Sequence, residues 1–148
     1  PKGVLYSHRS SVLHSFSAGA ETATAALALG YFLGFTGPLT YKKADDLRAI
    51  AAAVPLDRVV VETDAPFLTP EPYRGRRNEP AHVRLVAERL AEVRGLPYDA
   101  IAQATTANAH RLFPRLLLDD RRPPTADRRP PTNDRRLPTN DRRQTTDH

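Results

Sequence analysis

Short apolar runs that alternate with stretches of helical periodicity constrain this chain more than any other feature. Residues 11–16 (SVLHSF) form a first run and residues 31–36 (YFLGFT) a second. Residues 58–63 (RVVVET) form a third, whose β-branched centre suits a strand covered on both faces. Between the first two, residues 21–29 are alanine-rich and stop at Gly30, a good helix terminator. Residues 43–54 carry Leu47, Ile50 and Ala51 at helical spacing, and Pro55 ends them. After the third run and a proline-rich loop, Pro80 opens a helix that Gly95 closes. Val83, Val86, Ala87, Leu90 and Val93 share one face of it. A last helix is expected over residues 98–113, with Ile101, Ala104, Thr105, Asn108 and Leu112 along one stripe. Strand, helix, strand, helix, strand, helix, helix is the order of an α/β fold with a parallel sheet and right-handed crossovers.

Length sets the next bound. The 148 residues suffice for one domain with its own core, but an eightfold β/α barrel takes about 250. Position 1 is Pro1 rather than methionine, so a processed or partial chain is expected. Without cysteine there is neither a disulfide framework nor a thiolate metal site. No apolar run approaches the roughly 20 residues of a membrane span, and the N-terminus lacks a secretory pattern. A cytoplasmic setting with no membrane partner is therefore expected. The formal net charge of +5 is compatible with a polyanionic partner without demanding one.

Residues 120–147 repeat every seven positions as DRRPPTA, DRRPPTN, DRRLPTN and DRRQTTD. No position of the repeat is regularly apolar, which excludes a coiled coil. Such a segment buries too little surface to offset its ordering entropy, so residues 119–148 are expected to be a disordered tail. The Arg-Arg pairs sit beside aspartates and read as a largely self-compensated solvated segment rather than a nucleic-acid arm.

Ligands of parallel β/α folds bind where the strands end. His14 lies near the end of the first run, Asp64 directly follows the third, and Glu62 stands within it. Imidazole and carboxylate are the ligands of Zn, Mn or Mg in hydrolases that activate water. Plainer explanations compete. A lone strand histidine usually packs and hydrogen-bonds, and Asp64-Ala65-Pro66 is an acceptable turn start. From the residues alone, Glu62 is expected to face a neighbouring helix and pair with an arginine. The loop YRGRRNEP places Arg74, Arg76 and Arg77 after the strand that leads to Asp64. Guanidinium groups match phosphate oxygens. Its plainer explanation is a solvated loop in which Asn78 or Glu79 caps the Pro80 helix, which leaves three arginines in four positions unexplained.

Together these stretches resemble the TatD family of metal-dependent deoxyribonucleases. The resemblance rests on VLHSFS (12–17), FLGFTGPLTYKKADDLR (32–48), VPLDRVVVETDAPFLTPEPYRGRRNEP (54–80) and TTANAHRLF (105–113), in family order. It implies that residues 12–118 are the C-terminal part of a TIM-like (β/α)8 barrel, about strands 6–8, while residues 1–11 match poorly. It implies that His14 is a metal ligand ending the sixth strand. Asp64 is implied as the metal-ligating, catalytic aspartate ending the eighth, and Glu62 as the catalytic carboxylate behind it. Arg74, Arg77 and Asn78 are implied as the substrate-binding loop. The expected function is hydrolysis of DNA phosphodiesters from an end, with divalent metal ions (Mg, Mn or Zn) as cofactors and DNA as the partner. Two departures stand out. The family's opening His-x-His pair, bridging glutamate and further histidine have no counterparts here, and His8 lies too close to His14 to replace that histidine. Ser17-Ala18-Gly19 also stands where the family usually has Ser-Gly. With two of the expected ligands, a non-catalytic remnant that binds nucleic acid or a partner protein is the alternative.

Overall fold

The structure, a computed structural model, describes residues 11–115. Residues 1–10, most of the expected N-terminal segment, and the expected repeat tail lie outside that range. Three parallel strands pair in sequence order: β1 (Val12–Leu13), β2 (Phe32–Phe35) and β3 (Val59–Val61). Phe32 lies opposite Val12 in the first pair, and Gly34 opposite Val60 in the second. Helix α1 (Ala20–Ala28) follows β1 and α2 (Asp45–Ala53) follows β2. After β3 come a long loop, a 3-10 turn (Pro80–His82), α3 (Val83–Arg94) and α4 (Tyr98–Leu112). The expected α/β architecture with a parallel sheet is therefore present.

Local chemistry accounts for the boundaries. Gly30 and Gly95 have φ of 83° and 63°, left-handed values that cost a glycine little, and they end α1 and α3. Asp45 and Asp46 place negative charge in the first turn of α2, where the helix dipole favours it. Pro80 begins a 3-10 turn rather than the α-helix itself. Glu79 caps that turn, its carboxylate accepting from the backbone of His82 while the His82 ring accepts from the backbone of Glu79.

The alternation of a strand assigns the two faces of the sheet. Leu33, Phe35 and Val59 point to the helices and are fully buried with Ala51, Leu90 and Ile101. Burying side chains of this size stabilises the fold by roughly 1.5–3 kcal/mol each. Alanines Ala23 and Ala26 form the buried side of α1. On the opposite face Phe32 and Val60 cluster with Leu112 and Val12. Asn108 pins α4 to the start of β3, its Nδ2 donating to the Leu56 and Val59 carbonyls at 2.8 and 2.7 Å. Among the described residues, no helix is long and apolar enough to cross a membrane.

Candidate metal and hydrolytic site

The strand ends bring His14 to Glu62 and Asp64, which lie 48 and 50 residues further along the chain. Glu62 follows β3 on the face of Val60, two positions earlier, and so does not face the helices. Among the described residues it pairs with His14 and not with an arginine: its Oε2 meets His14 Nδ1, and its Oε1 accepts from the Ser15 backbone N–H at 3.2 Å. Gly34 on the neighbouring strand makes room for it. A Cβ built there would stand 1.4 Å from Glu62 Oε1. An isolated glycine inside a strand marks such close approach. That was the signal available in FLGF.

His14 Nε2 lies 3.0 Å from Asp64 Oδ1, across the ring from Glu62. The hydrogen bonds to Asp64 and Glu62 raise the His14 pKa above its ordinary value, against a smaller opposing effect of burial. Asp64 and Ser15 both adopt left-handed backbone, with φ of 54° and 48°. That conformation is uncommon outside glycine and concentrates where surrounding structure holds functional groups in place. Phe67 N–H closes the turn onto the Asp64 carbonyl at 2.8 Å. Ser15 Oγ is further tied to Thr36 Oγ1 at 2.8 Å, so the ends of all three strands are linked.

The donor set suits a divalent cation in part. An imidazole nitrogen and a carboxylate oxygen, each about 2.1 Å from a cation in a tetrahedral or octahedral shell, stand roughly 3.0–3.4 Å apart. The Nε2–Oδ1 separation of 3.0 Å falls in that range. Glu62 sits on the far nitrogen and fits the carboxylate that orients a metal-binding histidine. Among the described residues, no group of three or more His, Cys, Asp or Glu side chains could hold a metal ion. His14 Nε2 and Asp64 Oδ1 are two donors at the spacing that a cation shell needs.

Residues 4–114 match the family model described as TatD related DNase. The chain belongs to the TatD family. It is 49% identical over 102 residues to an uncharacterized metal-dependent hydrolase, YcfH, of Escherichia coli, covering 69% of this chain and 38% of that protein. It is 44% identical over 102 residues to the similarly described YabD of Bacillus subtilis, with 69% and 40% covered. The crystal structure of YjjV, a TatD homologue from Escherichia coli, superposes with a TM-score of 0.68 at 37% identity. That match covers 72% of this chain and 41% of YjjV. The chain therefore spans about two fifths of the length of these relatives.

In this TatD-family chain the loop after β3 is tied together by Asn78. That side chain is 2% exposed. Its Nδ2 donates to the Thr63 and Phe67 carbonyls at 2.5 and 2.6 Å, bracketing Asp64. Its Oδ1 accepts from the Glu79 N–H at 2.9 Å and lies 3.0 Å from His82 Nδ1. These ties account for its polar atoms, so the side chain braces the loop and does not face solvent. Replacing Asn78 by alanine removes its hydrogen bonds to two part-buried carbonyls and is expected to cost about 1–3 kcal/mol. Urea unfolding measures this loss as a lower midpoint. Arg77 is exposed on the same loop. Arg74 lies over the Tyr41 ring, 4.1 Å from its centroid, rather than beside His14.

Proposed function

We propose that this chain is the C-terminal part, about strands 6–8, of a TatD barrel that hydrolyses DNA phosphodiesters with divalent cations. The observation that carries the reading is the Glu62–His14–Asp64 alignment across strand ends. A carboxylate fixes one imidazole nitrogen there, and the other nitrogen converges on a second carboxylate. His14 Nε2 and Asp64 Oδ1 would hold the cation, with further donors from outside the described residues. Mg, Mn and Zn all accept such ligands. The cation, once bound, lowers the pKa of water and polarises the phosphodiester.

The chain's own residues do the rest. Glu62 holds His14 in the tautomer that leaves Nε2 free to bind, and Ser15 N–H holds Glu62. Asp64 has a second carboxylate oxygen with which to orient and deprotonate a water. The left-handed backbone of Asp64 and the Asn78 ties keep that carboxylate in place as substrate enters. Arg77 offers a phosphate contact, and Asn78 contributes by bracing rather than touching substrate.

Hydrolysis of single-stranded DNA by the 148-residue chain, with Mg²⁺ or Mn²⁺ and then with excess chelator, tests the reading. Any turnover is expected to need the cation. Turnover indifferent to chelator would sink it. One observation favours a second reading: two donors, and no larger set among the described residues, suit a nucleic-acid-binding remnant. Salt-sensitive DNA binding without any cation-dependent turnover would support that case.

A further inference from the structure

Phe67 is 68% exposed, although it lies three residues beyond Asp64 on a heavily braced loop. Its backbone N–H is held by the Asp64 carbonyl at 2.8 Å and its carbonyl by Asn78 Nδ2 at 2.6 Å. Leu68, the next residue, has a φ of 51°, and its carbonyl abuts Gly37. A flexible loop could fold an apolar ring away from water. This one fixes its backbone on both sides of the ring and leaves the ring outside.

The phenyl group helps to line a shallow cleft of about 420 Å³ with Pro66, Tyr41, Arg74 and Arg76. The Arg74–Tyr41 stack, with the guanidinium carbon 4.1 Å from the ring centroid, forms another part of its wall. Arg48 secures that wall by donating to the Tyr41 carbonyl at 2.7 Å. The same stack also borders a larger cleft of about 1000 Å³ that Lys42 and Lys43 line. Aromatic faces interleaved with arginines and lysines are the chemistry that takes up bases and phosphates of an unpaired strand.

We propose that Phe67 is a base-stacking, specificity-determining residue. It would hold the terminal base of a single nucleic-acid strand between its ring and the Arg74–Tyr41 pair, with the adjoining phosphates toward Lys42 and Lys43. This rests on the nuclease reading above, which it narrows to strand ends whose bases are unpaired. A base inside a duplex is already stacked and paired, and its face is not available to Phe67.

The test uses the 148-residue chain in chelator, so that binding is read without hydrolysis. Oligonucleotides carry 2-aminopurine, whose fluorescence stacking quenches, at the 5′ or the 3′ end. Matched strands have an abasic terminal position. We expect quenching for one end, and about 10- to 100-fold weaker binding of that strand to Phe67→Ala. Phe67→Trp should retain binding, Phe67→Leu should lose it, and the abasic strand should bind the wild type and Phe67→Ala alike. Because the ring is exposed, these variants should fold normally, and their melting temperatures check it. The same base-to-abasic ratio in the wild type and Phe67→Ala would overturn the proposal. So would no quenching by the wild type, or equal binding of a blunt duplex. Hydrolysis with Mn²⁺ is measured separately on the same preparations. Its absence would count against the nuclease reading and leave a Phe67-dependent stacking site standing.

Discussion

Gly37→Ala is expected to lower the melting temperature by about 10 °C or more, the largest stability effect among the described glycines. Gly37 opens the 3-10 turn (Gly37–Thr40) after β2, and the loop that follows Asp64 crosses directly over it. A Cβ at this position would stand 1.7 Å from the Leu68 carbonyl oxygen and 3.0 Å from Pro70 N. Both obstacles are backbone, and no side-chain rotation relieves them. The two segments are also bonded to each other. Thr40 Oγ1 donates to the Gly37 carbonyl at 2.7 Å and accepts from Glu71 N–H at 2.8 Å. An added methyl must therefore separate two tied backbones, at the upper end of the roughly 1–3 kcal/mol range for overpacking. Gly19→Ala is the control, since a Cβ there meets nothing within 4 Å. Thermal unfolding of the two variants should separate them, and equal melting temperatures would refute the close packing.

Gly34→Ala should do the opposite: damage the site and spare the fold. Its Cβ would collide with Glu62 Oε1 at 1.4 Å and Glu62 Cδ at 2.5 Å, the far end of a flexible side chain. Glu62 can swing toward solvent at little cost in stability. It then loses Ser15 N–H and His14, and the imidazole loses its orientation. Loss of such an orienting carboxylate typically weakens metal binding about 10- to 100-fold. We expect that loss in a Mn²⁺ titration with a melting temperature changed by only a few degrees. In a Glu62→Ala background the added methyl should have little further effect, because the two changes act through one group. Independent, additive losses would mean that Gly34 matters for another reason.

The order of elements was legible because each boundary has a local cause. Gly30, Pro55 and Gly95 stop helices, and VVV has no comfortable helical alternative. The stripe from Ile101 to Leu112 was equally plain, with Ile101, Thr105, Asn108 and Leu112 buried as the period requires. The start of α3 was less so. Pro80 suits a first turn of either helix type, and the Glu79–His82 reciprocal cap makes it a 3-10 turn.

The site divides in the same way. His14 and Asp64 could be nominated from their positions at strand ends. Their contact could not, because it spans 50 residues and depends on strand register. Glu62 was open between a helix-facing and a site-facing role. Its parity with Val60 decided the matter, and Gly34 held the clue. Asn78 looked like a substrate contact by resemblance and like a cap by chemistry. The structure gives it the bracing role, since Thr63, Phe67 and Glu79 of its own loop occupy its amide. The Arg74–Tyr41 stack joins separate loops, and no local pattern announces it.

The most direct test of the account is Mn²⁺ binding to the 148-residue chain, followed by electron paramagnetic resonance, for the wild type and Asp64→Ala. We expect saturable binding by the wild type, weakened about 10-fold or more by the substitution, by at least as much as loss of an orienting carboxylate. Binding of equal strength in both proteins would contradict it, because His14 and Asp64 would then not form a cation site.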